Sequence, residues 1–146
     1  MHLYLESIDS TPSAVHSKIG GIIYLTIGEH YFPEENWYDY VSLIMEQWIP
    51  ALISFAQCNT DFCKLTFWDG PCFAILKRNQ DATTTVSCFY DKRTVIEDTL
   101  FNLQDFLKSV MQSTNRYCRL LHLQGKDHSE VSSALQKLKE AIRTVR

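Results

Sequence analysis

The stretch FCKLTFWDGPCFAILKRNQDATTTVSCFY, residues 62–90, decides the fold. Phe62 to Trp68 alternates in polarity, Asp69-Gly70-Pro71 carries turn chemistry, and Cys72 to Leu76 is a nearly continuous apolar run that suits a central strand covered on both sides. Lys77 to Asp81 is a polar turn, after which Thr83 to Tyr90 resumes a β-branched pattern. Three strands joined by short turns read as an antiparallel meander.

Upstream of the meander, Trp37, Tyr40, Val41, Ile44, Met45, Trp48, Ile49, Leu52 and Phe55 recur at spacings of three and four, which makes one broad helical stripe. Asn36 is placed to cap its first turn, with Glu34 and Glu35 near the positive end of the helix dipole. Pro50 removes one backbone donor inside the pattern and predicts a kink or an early stop. Before this helix, Ile22 to Ile27 reads as a strand closed by Gly28, and His2 to Glu6 as a short first strand followed by a loop at Asp9 to Ser13.

Downstream, Thr94 with Glu97 has the spacing of a capping box, and Ile96, Leu100, Leu103, Leu107, Val110, Tyr117, Cys118 and Leu121 continue a stripe to Gly125. A helix over residues 95–124 follows, either continuous or broken near Asn115. Asp127 with Glu130 marks a last helix, with Lys137, Lys139, Arg143 and Arg146 on its polar face. The order is β-β-α-β-β-β-α-α. It predicts an α+β domain spanning residues 1–146, an antiparallel sheet of about five strands with three helices packed mainly on one face.

Charge is unevenly distributed. From Ile19 to Cys63 there is no Lys or Arg, against Glu29, Glu34, Glu35, Asp39, Glu46 and Asp61. Residues 1–111 hold seven bases and fourteen acids, residues 112–146 seven bases and three acids, and the chain as a whole carries −3. Clustered charge steers association more than it shapes a fold. No run approaches the roughly 20 apolar residues needed to span a bilayer, and the first residues lack the pattern of a signal peptide, so a cytoplasmic location is expected. Five cysteines, mostly inside apolar patterns, read as reduced core thiols and not as a disulfide framework.

Motifs for chemistry are missing. The chain has no Gly-x-Ser-x-Gly elbow, no phosphate-binding Gly-x-x-x-x-Gly-Lys and no Gly-x-Gly-x-x-Gly. Neither Cys-x-x-Cys nor His-x₃-His occurs, so no metal site and no cofactor are expected. Glu34, Glu35 and Asp39 sit close enough for acid–base work, but such work needs a pocket that separates their pKa values, and a helix start explains the same acids. A sequence pI near 5.9, with no aromatics among the terminal bases, argues against nucleic acid. Trp37 and Trp48 read as core, whereas Trp68 beside Asp69-Gly70-Pro71 reads as exposed at a hairpin end.

Two segments carry a family resemblance. Ile27-Gly28-Glu29-His30-Tyr31-Phe32-Pro33-Glu34-Glu35-Asn36-Trp37-Tyr38-Asp39 with the Trp48 helix resembles the strand-to-helix entry of small bacterial immunity proteins. Leu65 to Phe73 resembles the Phe-x-Asp-Gly-Pro-Tyr hairpin of the same set, with Cys72 in place of the usual aromatic. The similarity covers roughly residues 20–145 in element order. It implies a non-enzymatic protein that binds and blocks a cognate toxin, with no catalytic residues.

An acidic surface facing a basic, nuclease-like toxin is the matching expectation, with Glu29, His30, Glu34, Glu35, Asp39, Asp61, Trp68 and Asp69 as candidate contacts. The alternative is a small ligand-binding domain or enzyme with a pocket between sheet and helices near His30, Glu34 and Trp68. Self-association through an exposed strand or the long helix is a further option.

Overall fold

The meander forms, and a fourth strand joins it. In a computed structural model that describes residues 1–9 and 18–145, β1 (His2–Ile8), β2 (Gly20–Ile27), β3 (His30–Phe32) and β4 (Tyr38–Tyr40) precede α1 (Val41–Ala56). Then come β5 (Phe62–Thr66), β6 (Cys72–Arg78), β7 (Thr84–Tyr90), β8 (Arg93–Phe101), α2 (Leu103–Leu123) and α3 (Ser129–Thr144). The turn expected at Ser10 to Ser13, and Arg146, lie outside the described residues.

The class is α+β with three helices, but the single five-stranded sheet is replaced by two antiparallel sheets of four strands. Sheet A is built on β2, which pairs with β1 along one side and with β3 and β4 in succession along the other. Sheet B runs β5-β6-β7-β8.

Three segments not read as strands account for the difference, the first being His30-Tyr31-Phe32, which pairs with Leu25 to Ile27. Tyr38-Asp39-Tyr40 was expected inside the first helix; it pairs with Gly20 to Ile22 instead, and α1 begins only at Val41. Asn36 therefore caps nothing and sits at φ +59°. Residues 95–101 were expected to open a helix, but the β-branched run of Arg93–Phe101 continues the meander from a tight turn at Asp91-Lys92. The Thr94/Glu97 capping box does not form. Asn102 caps α2, its side-chain oxygen accepting the Asp105 N–H at 2.9 Å. Leu100, read as part of the helical stripe, is 67% exposed on the edge strand.

From its true start α2 runs unbroken through Asn115 and ends where Gly125 takes φ +66°. Pro50 does not stop α1, which continues to Ala56. No basic residue of α1 lies in its last turn; Arg78 of β6 reaches across instead, donating from Nη2 to the Phe55 carbonyl at 2.7 Å. At α3 the Asp127/Glu130 box is also absent. His128 occupies the cap, and Asp127 accepts the Ser129 N–H at 2.9 Å.

The buried residues form a continuous core drawn from both sheets and all three helices. Its aromatic centre is Phe67, edge-to-face with Phe32 of sheet A at 5.6 Å and with Trp48 of α1 at 5.1 Å. Such contacts add about 0.5–1.5 kcal/mol each beyond burial. The Trp48 indole N–H, deep in this core, donates to the Thr66 carbonyl at 2.9 Å, so the largest buried side chain also keeps its polar atom paired. Trp37 lies outside α1 and is half-buried. Helix α2 packs along β1, α1 packs on β5 and β2, and α3 rests on α1 and α2. β6 is not covered on both sides, since its outward Phe73 and Ile75 are half-buried.

The β1 edge of sheet A is closed off by α2. The Leu3 N–H of β1 donates to Ser109 Oγ of α2 at 2.9 Å, the Ser113 hydroxyl donates to the Leu3 carbonyl at 2.9 Å, and Arg116 donates to the Glu6 carbonyl at 2.7 Å. Side chains of one helix thus replace a missing neighbouring strand, which explains two buried serines in a helix interior. β8 has no such cover, but two register shifts, an Asp98 at φ +39° and the charges of Arg93, Glu97 and Asp98 make it a poor template for another strand. Among the described residues no helix is long and apolar enough to cross a membrane.

Candidate functional site

Strand alternation turns Leu3, Leu5, Ile23, Leu25, Ile27 and Phe32 of sheet A toward the core and the intervening residues outward. Register then determines which outward residues meet. Tyr4 pairs with Tyr24, Thr26 with Tyr31, Ile22 with Tyr38 and Gly20 with Tyr40, so five of the chain's seven tyrosines share one face. Tyr4 stacks on Tyr24 at 5.8 Å and 17°, and Tyr31 meets Tyr24 edge-on at 5.8 Å. Tyr24 is consequently only 6% exposed, while Tyr4, Tyr31, Tyr38 and Tyr40 stay between 38% and 46% exposed.

Carboxylates anchor this row. The Tyr24 hydroxyl donates to Glu6 Oε1 at 3.2 Å, and burial together with Glu6 pushes its pKa up to about 12. The Tyr38 hydroxyl donates to Asp9 Oδ2, and that bond, followed by burial, raises its pKa to about 12 as well. Glu35 also acts on Tyr24, and Asp69 on Tyr38, so both acids border the face. Three cations sit at its other border: Lys18 lies over the Tyr40 ring at 5.9 Å, Lys126 donates to the Asp9 carbonyl at 3.4 Å, and Arg116 holds the Glu6 carbonyl. Negative charge is therefore concentrated toward the β3 end.

Asp39 apart, the expected contact residues separate into three groups. Glu29, His30, Glu34 and Glu35 are exposed around β3. Trp68, 45% exposed, and Asp69 stand on the turn between β5 and β6, which is held against β4. Asp61 is exposed at the far end of β5, five residues or about 16 Å along the strand from that turn, and takes no part in the face.

Asp39, placed by the sequence reading on the partner-facing surface, is fully buried. Its Oδ1 accepts the N–H groups of Tyr40 at 2.7 Å, Trp68 at 3.1 Å and Asp69 at 3.1 Å. Its Oδ2 accepts the Trp37 indole at 2.9 Å and shares the Trp68 N–H at 2.9 Å. A carboxylate can be buried when donors replace its water, and here they come from both sheets. Asp39 is thus the fastener between β4 and the Trp68 turn. The Trp37 ring completes the joint by covering Gly70, where φ is +136° and an added Cβ would meet that ring at 3.3 Å.

Where a pocket between sheet and helices was the alternative, near His30, Glu34 and Trp68, the buried rings of Phe32, Phe67 and Trp48 pack edge to face. A surface groove of about 420 Å³ lies elsewhere, between α1 and α3, with Met45, Ile49, Pro50 and Val131 among its walls. No group of three or more His, Cys, Asp or Glu side chains converges for a metal among the described residues. Cys63, Cys72, Cys88 and Cys118 are buried and Cys58 exposed, all as free thiols. Burial pushes Cys63 and Cys88 up to about 12 and raises Cys72, so these three are poor nucleophiles.

The tyrosine row escaped the sequence reading because its members become neighbours only through register. One signal was available: Tyr4 alternates with Leu3 and Leu5, which marks it as outward. Compared with protein-family models, with curated proteins and with solved structures, the chain matches none.

Proposed function

We propose that this chain is a non-enzymatic immunity protein that binds and neutralises a cognate toxin in the cytoplasm, through the tyrosine face of sheet A and the acidic rim from Glu29 to Glu35. The observation that carries the reading is the gathering of five tyrosines on one exposed sheet face bordered by Glu6, Glu35 and Asp69. Tyrosine supplies large amphipathic contact area at low entropic cost and is enriched at binding hot spots. Carboxylates at the rim favour a basic partner, as a nuclease-like toxin would be, and speed its approach. The anchored phenols of Tyr24 and Tyr38 give the face a fixed shape, which lowers the cost of ordering it on binding.

Co-expression with a toxin encoded beside this gene tests the proposal. The chain should restore growth and copurify with the toxin, and the complex should weaken markedly between about 50 and 500 mM salt as charges are screened. Tyr31→Ala with Glu35→Lys should abolish protection, while Asp61→Lys, remote from the face, should retain it. Full protection by the Tyr31/Glu35 variant would refute this face as the binding surface.

A further inference from the structure

Sheet B has an outer face too, and it presents lysines where the β3 end of the tyrosine face presents carboxylates. Register sets Thr66, Phe73 and Phe89 in one row, Lys64, Ile75 and Ser87 in the next, and Phe62, Lys77, Thr85 and Leu100 in a third. Phe62 is 60% and Leu100 67% exposed, and Phe73 stacks on Phe89 at 4.9 Å and 13°. Lys64 lies over the Phe73 ring at 4.4 Å. Asp98 also reaches these rows, its carboxylate taking the Ser87 hydroxyl at 3.3 Å. An exposed apolar patch of this kind on a small chain marks an interaction surface. One molecule therefore carries a phenylalanine-and-lysine sheet on one side and a tyrosine-and-carboxylate sheet on another.

We propose that the occupant of the sheet B face is the tyrosine face of a second copy of this chain, so that molecules associate head to tail. Lys64 and Lys77 would oppose Glu6 and Glu35, and the Phe73/Phe89 stack would meet the tyrosine row. Two like faces of sheet B would instead bring lysine against lysine, which disfavours a symmetric pair. Because the two patches differ, the contact is heterologous and extends into open chains unless its rotation closes a ring.

Four strands at about 4.8 Å spacing and some six residues in length give a face of about 400 Å². The roughly 800 Å² buried in total falls below the approximately 1,200 Å² of a stable complex, so the association is weak and appears only at high concentration. Aromatics and lysines on an open sheet also occur in single-stranded nucleic-acid platforms. Here two lysines with Asp98 beside them, on a chain of net charge −3, favour the protein occupant. No toxin is required for this contact, so its failure leaves the immunity reading standing.

Sedimentation velocity of the full chain from about 10 μM to 1 mM, at low and high salt, tests it together with two variants. Lys64→Glu/Lys77→Glu removes one face and Tyr31→Ala/Glu35→Lys the other. The wild type should gain mass with concentration at low salt, and each variant alone should stay at 17.0 kDa. An equimolar mixture of the two variants should form a species of twice that mass and nothing larger, because one intact face of each kind remains. Lys77→Glu alone, which leaves the Lys64–Phe73 contact in place, repeats the test if the double variant misfolds. A wild type that stays monomeric throughout, or self-association that neither variant reduces, would overturn the proposal. So would tight binding of single-stranded oligouridine that Lys77→Glu abolishes.

Discussion

Replacing Asp39 should unfasten the two sheets. In Asp39→Ala four donors lose their acceptor: the Trp37 indole and the backbone N–H groups of Tyr40, Trp68 and Asp69. All are partly buried, so water reaches the vacated space, and a cost near the low end, about 1 kcal/mol for each donor, gives a total of about 4 kcal/mol. That is a large share of the roughly 5–15 kcal/mol that stabilises a domain.

Asp39→Asn is the sharper variant because it keeps the shape. Both oxygens of Asp39 accept N–H groups, so an amide in either orientation points its NH₂ at a donor, and a loss of about 2–3 kcal/mol is expected. Urea unfolding followed by tryptophan fluorescence reads both variants. With a slope of about 2 kcal/mol per molar urea, the midpoint should fall by about 2 M for Ala and by about 1–1.5 M for Asn. Asp69→Ala, which keeps the backbone N–H and removes an exposed side chain, should stay within about 0.5 kcal/mol of wild type. An Asn variant indistinguishable from wild type would refute the two-oxygen role assigned to Asp39.

Three further outcomes are expected. In the native protein at pH 8 a chromogenic disulfide reagent should modify Cys58 rapidly and the other four cysteines only after denaturation; fast reaction of more than one thiol would contradict the burial described. Absorbance at 295 nm should show three phenols, Tyr24, Tyr38 and Tyr117, ionising near 12. Since these folded-state values lie above the unfolded value of 10, the stability they contribute is complete below pH 10 and is lost as pH rises through 12, which urea midpoints across that window would report; titration of every tyrosine in one step near 10 by a still-folded protein would rule it out. Ser109→Ala should leave the Leu3 N–H without an acceptor at a cost of about 1–3 kcal/mol, and amide exchange at Leu3 should accelerate; unchanged exchange there would show that the helix does not seal β1.

Much of the fold was legible where a pattern had length. The stripe from Val41 to Phe55 is buried as its spacing predicted, the Asp69-Gly70-Pro71 turn joins β5 to β6, and Gly125 ends α2. Failures fell on short segments that satisfy two periods. Tyr38-Asp39-Tyr40 fits the leading edge of a helix as well as a three-residue strand, and its state is decided by donors 29 and 30 residues away at Trp68 and Asp69. Thr94 to Leu100 carries both a capping box and a β-branched run, and the open edge of β7 draws it into the sheet. Of the candidate site, the exposed acids around β3 and Trp68 could be read directly. Burial of Asp39 and the tyrosine row could not, since both arise from pairing across strands.

The hydroxyl clamp on β1 joins residues 106 and 110 positions apart in the chain. During synthesis β1 and β2 leave the ribosome long before Ser109 and Ser113, and at about 5–20 residues per second the interval is about 5–20 s. For that time the nascent sheet has an unsealed edge at Leu3 and no α2 alongside β1. Long-range closure of this kind also slows folding of the released chain. The chain therefore passes its period of greatest exposure to other nascent strands before α2 emerges, and the two serines end that period.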